Sequence, residues 1–249
     1  MKTYVKRYLL PLTALGGGLL TLLLRLWLLC LGTDSRGLLA IGSFPDIFSW
    51  VVTCGTLVWL VFGTRHLLEA SKYNFNFPAS LAAAIGIGLA ALGFFITSLT
   101  ELIAGTDVIG TISAILGLLA VGAMGFLAYC RFFSLRPSVL FHGLVCVYLM
   151  FHLVSHYRLW SAAPQIQTYG FELLAIVCIM LACYQRAAFD ANQGQRRTHT
   201  FCSLCALFFS VAALPGCENA LFFLGCAVWM LTTLCNLTPL PGLSPKKEG

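Results

Sequence analysis

The feature that most constrains this sequence is a succession of long apolar runs broken by short gaps, each carrying only a few charged residues. A helix needs about 20 predominantly apolar residues, at 1.5 Å rise each, to cross about 30 Å of hydrocarbon. Eight runs reach or approach that length, at 8–31, 47–63, 79–102, 108–129, 138–156, 169–184, 198–214 and 220–237. The pattern predicts an all-α fold: a polytopic transmembrane helical bundle of about eight spans, forming one domain over 1–249. The second, sixth and seventh runs are short, and the seventh ends at Pro215-Gly216, so a re-entrant segment is its alternative reading. With 10% charged residues, against about 25% in an ordinary soluble domain, the chain has too few to coat a water-facing globule.

Lys and Arg set the expected orientation. With a cytoplasmic N-terminus, the inner segments hold Lys2, Lys6, Arg7, Arg65, Lys72, Arg131, Arg136, Arg186, Arg196, Arg197, Lys246 and Lys247. The outer segments hold Arg36 and Arg158, and Arg25 lies within the first run. Twelve basic residues against two follow the positive-inside rule in every loop and favour an even span count, with both termini cytoplasmic. The Pro-rich segment 238–249 then forms a cytoplasmic tail. Trp27, Trp50, Trp160, Tyr157 and Tyr169 fall at the expected outer interface.

Several function classes fall away. The net charge of +6 is spread over the gaps, with no basic–aromatic stretch, so nucleic acid is not an expected partner. Most of the eleven cysteines lie inside apolar runs, where Cys behaves as a small hydrophobe. Cys202 and Cys205 form the one C-x-x-C, but among apolar neighbours, which favours packing over redox chemistry. The basic, apolar N-terminus imitates a signal peptide, yet its run is too long and Arg25 interrupts it, so it reads as a retained first span. No Walker A sequence, nucleophile elbow, intramembrane Lys or EF-hand loop occurs, and no cofactor is expected.

Small residues forecast the packing. Ala84, Gly86, Gly88 and Ala90 in the third run, and Gly110, Ala114 and Gly117 in the fourth, suit close helix approach. The few residues around Gly105 predict a tight antiparallel hairpin between those two runs. Gly16-Gly17-Gly18 in the first run is either another close contact or a bend.

Ionisable groups inside spans are costly and are the default functional candidates. Arg25 lies about 27 Å along a helix from Arg7, near the outer end of its run. Glu101, His152, His156 and Glu172 fall at similar depth, and Glu218 just precedes the eighth run. Arg25, Glu101, His152, His156 and Glu172 are therefore the candidate ligand-binding residues of an outward-facing polar pocket. The competing reading has them cap helix ends, snorkel to headgroups or pair structurally. His152 and His156 are four residues apart on one helical face and are the weak metal candidates. They lack the Glu of H-E-x-x-H, so no metal site and no catalytic residue is assigned.

The opening KRYLLPLTALGGGLLTLLLRLWLL resembles that of uncharacterised bacterial multi-pass membrane proteins with a basic start, a Gly-rich first span and an Arg-Leu-Trp exit. The resemblance covers about a tenth of the chain and implies membrane location without an activity. The leading expectation is a non-enzymatic component of the cell membrane. It would bind or transport a small anionic or zwitterionic solute, or serve as a membrane subunit beside a partner, with the lipid bilayer as its constant neighbour. The alternatives are an intramembrane metal-dependent enzyme using His152, His156 and an acid, and a structural subunit without a ligand site.

Reporter fusions test the topology. Fusions after Lys72, Arg136, Arg197 and Lys247 should report the cytoplasmic side, and fusions after Arg36, Asp107 and Arg158 the opposite side. A C-terminal fusion reporting outside contradicts the eight-span reading.

Overall fold

The computed structural model describes residues 2–31, 43–65, 67–105, 107–161 and 169–238. Arg36, Lys246, Lys247 and most of the Pro-rich tail lie outside the described residues, as do the side chains of Lys2, Lys6 and Arg7. The described residues form helices α1 (Lys2–Leu31), α2 (Phe44–Arg65), α3 (Tyr73–Asn76), α4 (Leu81–Ala104), α5 (Val108–Phe132), α6 (Val139–Ser161), α7 (Gly170–Asp190), α8 (Arg196–Ala213) and α9 (Ala220–Cys235), with no strand among them. Six helices are long and apolar enough to cross a membrane: α1 over Tyr8–Cys30, then α2, α4, α5, α6 and α7. The chain is thus a helical membrane protein by length and composition.

The other two expected spans differ for separate physical reasons. Helix α9 has 16 residues, about 24 Å at 1.5 Å rise, and is apolar but short. Helix α8 opens on Arg-Arg-Thr-His-Thr, which lowers its hydropathy. Within that opening Arg196, His199 and Thr200 are buried, while Arg197 is exposed at the end of the helix. Every residue from Cys202 to Ala213 is buried, and α1, α2, α7 and α9 pack around it. A helix enclosed by other helices needs no lipid-facing stripe. By contrast, α2 presents Val51, Val58, Trp59 and Phe62 to the outside.

The α4–α5 hairpin forms as the small residues forecast. Gly105 ends α4 in the left-handed conformation, with φ 58° and ψ 37°, which a residue without Cβ adopts freely. Asp107 then caps α5, its carboxylate accepting the Val108 N–H at 2.8 Å. It also pairs with Arg158 of α6 at 2.6 Å. The Val108 bond first, and Arg158 second, hold the Asp107 carboxyl below the usual range.

Packing at the glycines corrects part of the forecast. Helix α4 lies between α5 and α9, and its closest approaches are shared between them. A Cβ at Gly117 would collide with Ser98 Oγ on α4. On the other side, a Cβ at Gly93 would lie 2.7 Å from the Leu221 carbonyl oxygen, and one at Gly225 would lie 2.9 Å from Ala90 Cα. Gly88, expected in the close contact, has open space where its Cβ would be, because it turns away from both partners. In α1, Gly17 and Gly18 are contact points: a Cβ at Gly18 would lie 3.0 Å from the Phe208 carbonyl oxygen of α8. The α1 glycines therefore admit α8 and α2 to close range.

Gly117→Leu and Gly225→Leu should each lower the detergent melting temperature, at a cost of about 1–3 kcal/mol or more from overpacking. Gly88→Leu should leave it nearly unchanged. Equal behaviour of the three variants contradicts this packing.

Candidate functional site

The helices alternate in direction, so the C-terminal parts of α1, α4, α6 and α8 meet the N-terminal ends of α7 and α9. The five residues singled out from sequence all lie toward this end, but in two groups.

The first group joins α4 to α6. Glu101 Oε1 stands 3.1 Å from His152 Nδ1 and 3.1 Å from His156 Nε2. The His156 contact is an aligned hydrogen bond. The His152 contact is not: its Nδ1 has no hydrogen-bond partner despite the short distance, and Glu101 Oε2 and His156 Nδ1 also have none. Both imidazoles are buried, His152 to 1% exposure. Rings fix their planes: His152 packs on Phe222 and Tyr148, and His156 on Trp160, which in turn stacks on Tyr169 at 4.9 Å. The i, i+4 spacing on α6 brings the two imidazoles to 4.3 Å between centroids. Suitable ligand atoms of Glu101, His152 and His156 all lie within 4.8 Å of one another.

Beside this triad lies a cavity of about 410 Å³, lined by Thr97, Thr100, Glu101, His156, Glu218 and Asn219, with Ile96, Leu159 and Leu221 at its apolar margin. Two carboxylates and an imidazole thus meet the first turn of α9, whose leading N–H groups have no intrahelical acceptor. Glu218, which just precedes α9, joins the site beyond the five residues singled out from sequence.

The second group is Arg25 and Glu172, neither of which is among the described residues lining that cavity. Arg25 donates from Nη1 to the Ala212 carbonyl at 2.7 Å and lies over the Phe171 ring. It thereby satisfies a C-terminal carbonyl of α8, where a cation also meets the favourable end of the helix dipole. Glu172 occupies the complementary place in the first turn of α7. The two charges interact electrostatically, and Glu172 also feels Glu218, which links the groups.

The opposite end holds a polar assembly that sequence reasoning missed. Residues 67–80 fold across the bundle there, and Phe77 inserts fully buried between Arg131 and Arg186, whose guanidinium carbons lie 5.3 and 3.4 Å from its ring centroid. Asn76 accepts from Arg196 Nη1 at 3.0 Å. Asp190 pairs with His142 at 2.6 Å, and its carbonyl accepts from Arg136 Nε at 2.5 Å. Arg131, Arg186 and Arg196, which read as orientation signals, are therefore also buried structural members. The available signal was the run Tyr-Asn-Phe-Asn-Phe-Pro at 73–78, too aromatic for a plain surface loop.

Set against protein families, curated proteins and solved structures, the chain matches none.

Asp190 is the buried carboxylate among the described residues at the arginine end. Removing one partner of a buried charge network costs about 3–5 kcal/mol. Asp190→Ala should therefore strongly reduce thermal stability in detergent, and Asp190→Asn, which keeps an acceptor for His142, should cost less. Wild-type stability in Asp190→Ala contradicts a structural role for this cluster.

Proposed function

We propose that this chain is a multi-pass component of the cell membrane that binds a small zwitterionic solute at the Glu101 end, as the binding element of a transport system or as a membrane subunit. All eight long helices cross the bilayer in this reading, with α8 shielded from lipid by its neighbours. The basic, Arg131-containing end faces the cytoplasm and the Glu101 end faces outward. The observation that carries the reading is the convergence of Glu101, His156, Glu218 and the α9 N-terminus on one cavity. Carboxylates suit a solute's ammonium group, and free N–H groups at a helix start suit its carboxylate. The apolar margin of Ile96, Leu159 and Leu221 suits an apolar body.

The cavity departs from an anion site centred on Arg25, because that guanidinium is engaged with Ala212 and Phe171. Arg25 instead supports the site by fixing the C-terminus of α8, from which the Glu218 turn departs.

Leucine is a suitable probe, since it combines both charges with an apolar side chain. Titration calorimetry on the purified chain should show binding that weakens at least about tenfold in Glu218→Gln, equivalent to about 1.4 kcal/mol. The melting temperature of the free protein should stay unchanged. Absence of binding by leucine and by other apolar amino acids, or wild-type affinity in Glu218→Gln, contradicts the proposal.

A further inference from the structure

We infer that Glu101, His152 and His156 hold a divalent transition-metal ion of the zinc class, with the remaining coordination position open to the neighbouring cavity. This rests on the same cavity as the proposed function but on a different set of contacts.

The donor set is the first argument. Two imidazoles and one carboxylate match a three-ligand zinc site that keeps a position for water or solute. Glu101 Oε1 stands 3.1 Å from both His152 Nδ1 and His156 Nε2, and one ligand atom from each of the three residues lies within 4.8 Å of the others. Ligands about 2.0–2.2 Å from a tetrahedral zinc stand about 3.3–3.6 Å apart, so the two edges at 3.1 Å already have nearly the required length.

The second argument is the unsatisfied geometry. A purely hydrogen-bonded triad should align both imidazole N–H groups on the carboxylate. Here the His152 nitrogen stands 3.1 Å from Oε1 yet makes no aligned hydrogen bond, although the residue is almost completely buried. A nitrogen that shares an ion with the carboxylate stands at such a distance without needing hydrogen-bond alignment. The ring contacts of His152 with Tyr148 and Phe222, and of His156 with Trp160, hold the imidazoles in place before any ion arrives. Such pre-orientation reduces the ordering cost of coordination.

Charge and access complete the case. One ligating carboxylate leaves a divalent ion with excess positive charge, and Glu218 on the same cavity supplies a second negative group. The proton that occupies the His156–Glu101 hydrogen bond in the metal-free protein leaves through the cavity to solvent when the ion binds. With Glu101 engaged on the metal, the solute's ammonium group pairs with Glu218 and its carboxylate meets the N–H groups at the start of α9, beside the open coordination position.

The test uses the full chain in detergent, stripped by chelator and titrated with Co2+. The expected result is one Co2+ per chain, with the visible d–d absorption of a low-coordinate nitrogen–oxygen site, displaced by Zn2+. Glu101→Gln, nearly isosteric, and His152→Ala should each weaken binding beyond the roughly 10–100-fold that loss of an outer hydrogen-bond partner costs. If His152→Ala fails to fold by size-exclusion and melting, Glu101→Gln alone decides. Glu218→Gln should retain Co2+ while losing leucine. No stoichiometric binding by the wild type, unchanged affinity in Glu101→Gln, or a thiolate charge-transfer band placing the ion on cysteine overturns the inference. Metal binding without amino-acid binding overturns the proposed solute and leaves the metal site standing.

Discussion

Hydrocarbon offers no hydrogen-bond partners, and the rest of this structure follows from that constraint. Every backbone group in a span must be satisfied within its helix, and every ionisable side chain must reach an end of the bundle or find a partner inside it. The chain does both. Its charged residues gather at two ends, and its middle is filled by Ala90, Phe94, Ala120, Tyr148, Ile176, Leu207 and Phe208. At the ends the charges are not simply released to water. Arg131, Arg186, His142 and Asp190 are buried at one, and Arg25, Glu172, His152 and His156 at the other.

Helix α8 shows how far this sorting goes. Its polar first turns would be costly against lipid, so it is enclosed by α1, α2, α7 and α9. Close approach at Gly17 and Gly18 makes room for it on the α1 side. Its C-terminus receives Arg25, and its N-terminal turn is held by Arg196 against Asn76 and Thr238. Both ends of the most enclosed helix are thus fixed by arginine. The turn that leaves it toward α9 carries Glu218 into the cavity beside Glu101 and His156. Fold and candidate site are linked through that turn.

Much of the fold was legible in hydropathy alone. The run at 108–129 became Val108–Phe132, and the Gly105 turn fell where the small-residue pattern placed it. A charged residue does not always mark water at a helix end. The sixth apolar run ends at 184, whereas α7 continues to Asp190, because Arg186 is held over Phe77 inside the protein. That contact joins residues far apart in sequence, and periodicity carries no trace of it. The depth count brought Glu101, His152 and His156 to one level, and helical spacing put the two histidines on one face. It could not separate them from Arg25 and Glu172, because rotation of α1 and α7 about their axes is set by packing. Gly88 shows the same limit: small-xxx-small spacing marks a stripe but does not say which neighbour the stripe meets.

The enclosure of α8 among its neighbours positions the turn that bears Glu218. Photolabelling in liposomes with a lipid-dissolved carbene reagent, followed by peptide mapping, tests it directly. Label should fall on the outward residues of α1 and α2, such as Leu12, Leu23, Val58 and Phe62, and spare residues 202–213. Labelling of 202–213 to the same extent as α2 would place α8 against lipid and contradict the structure described.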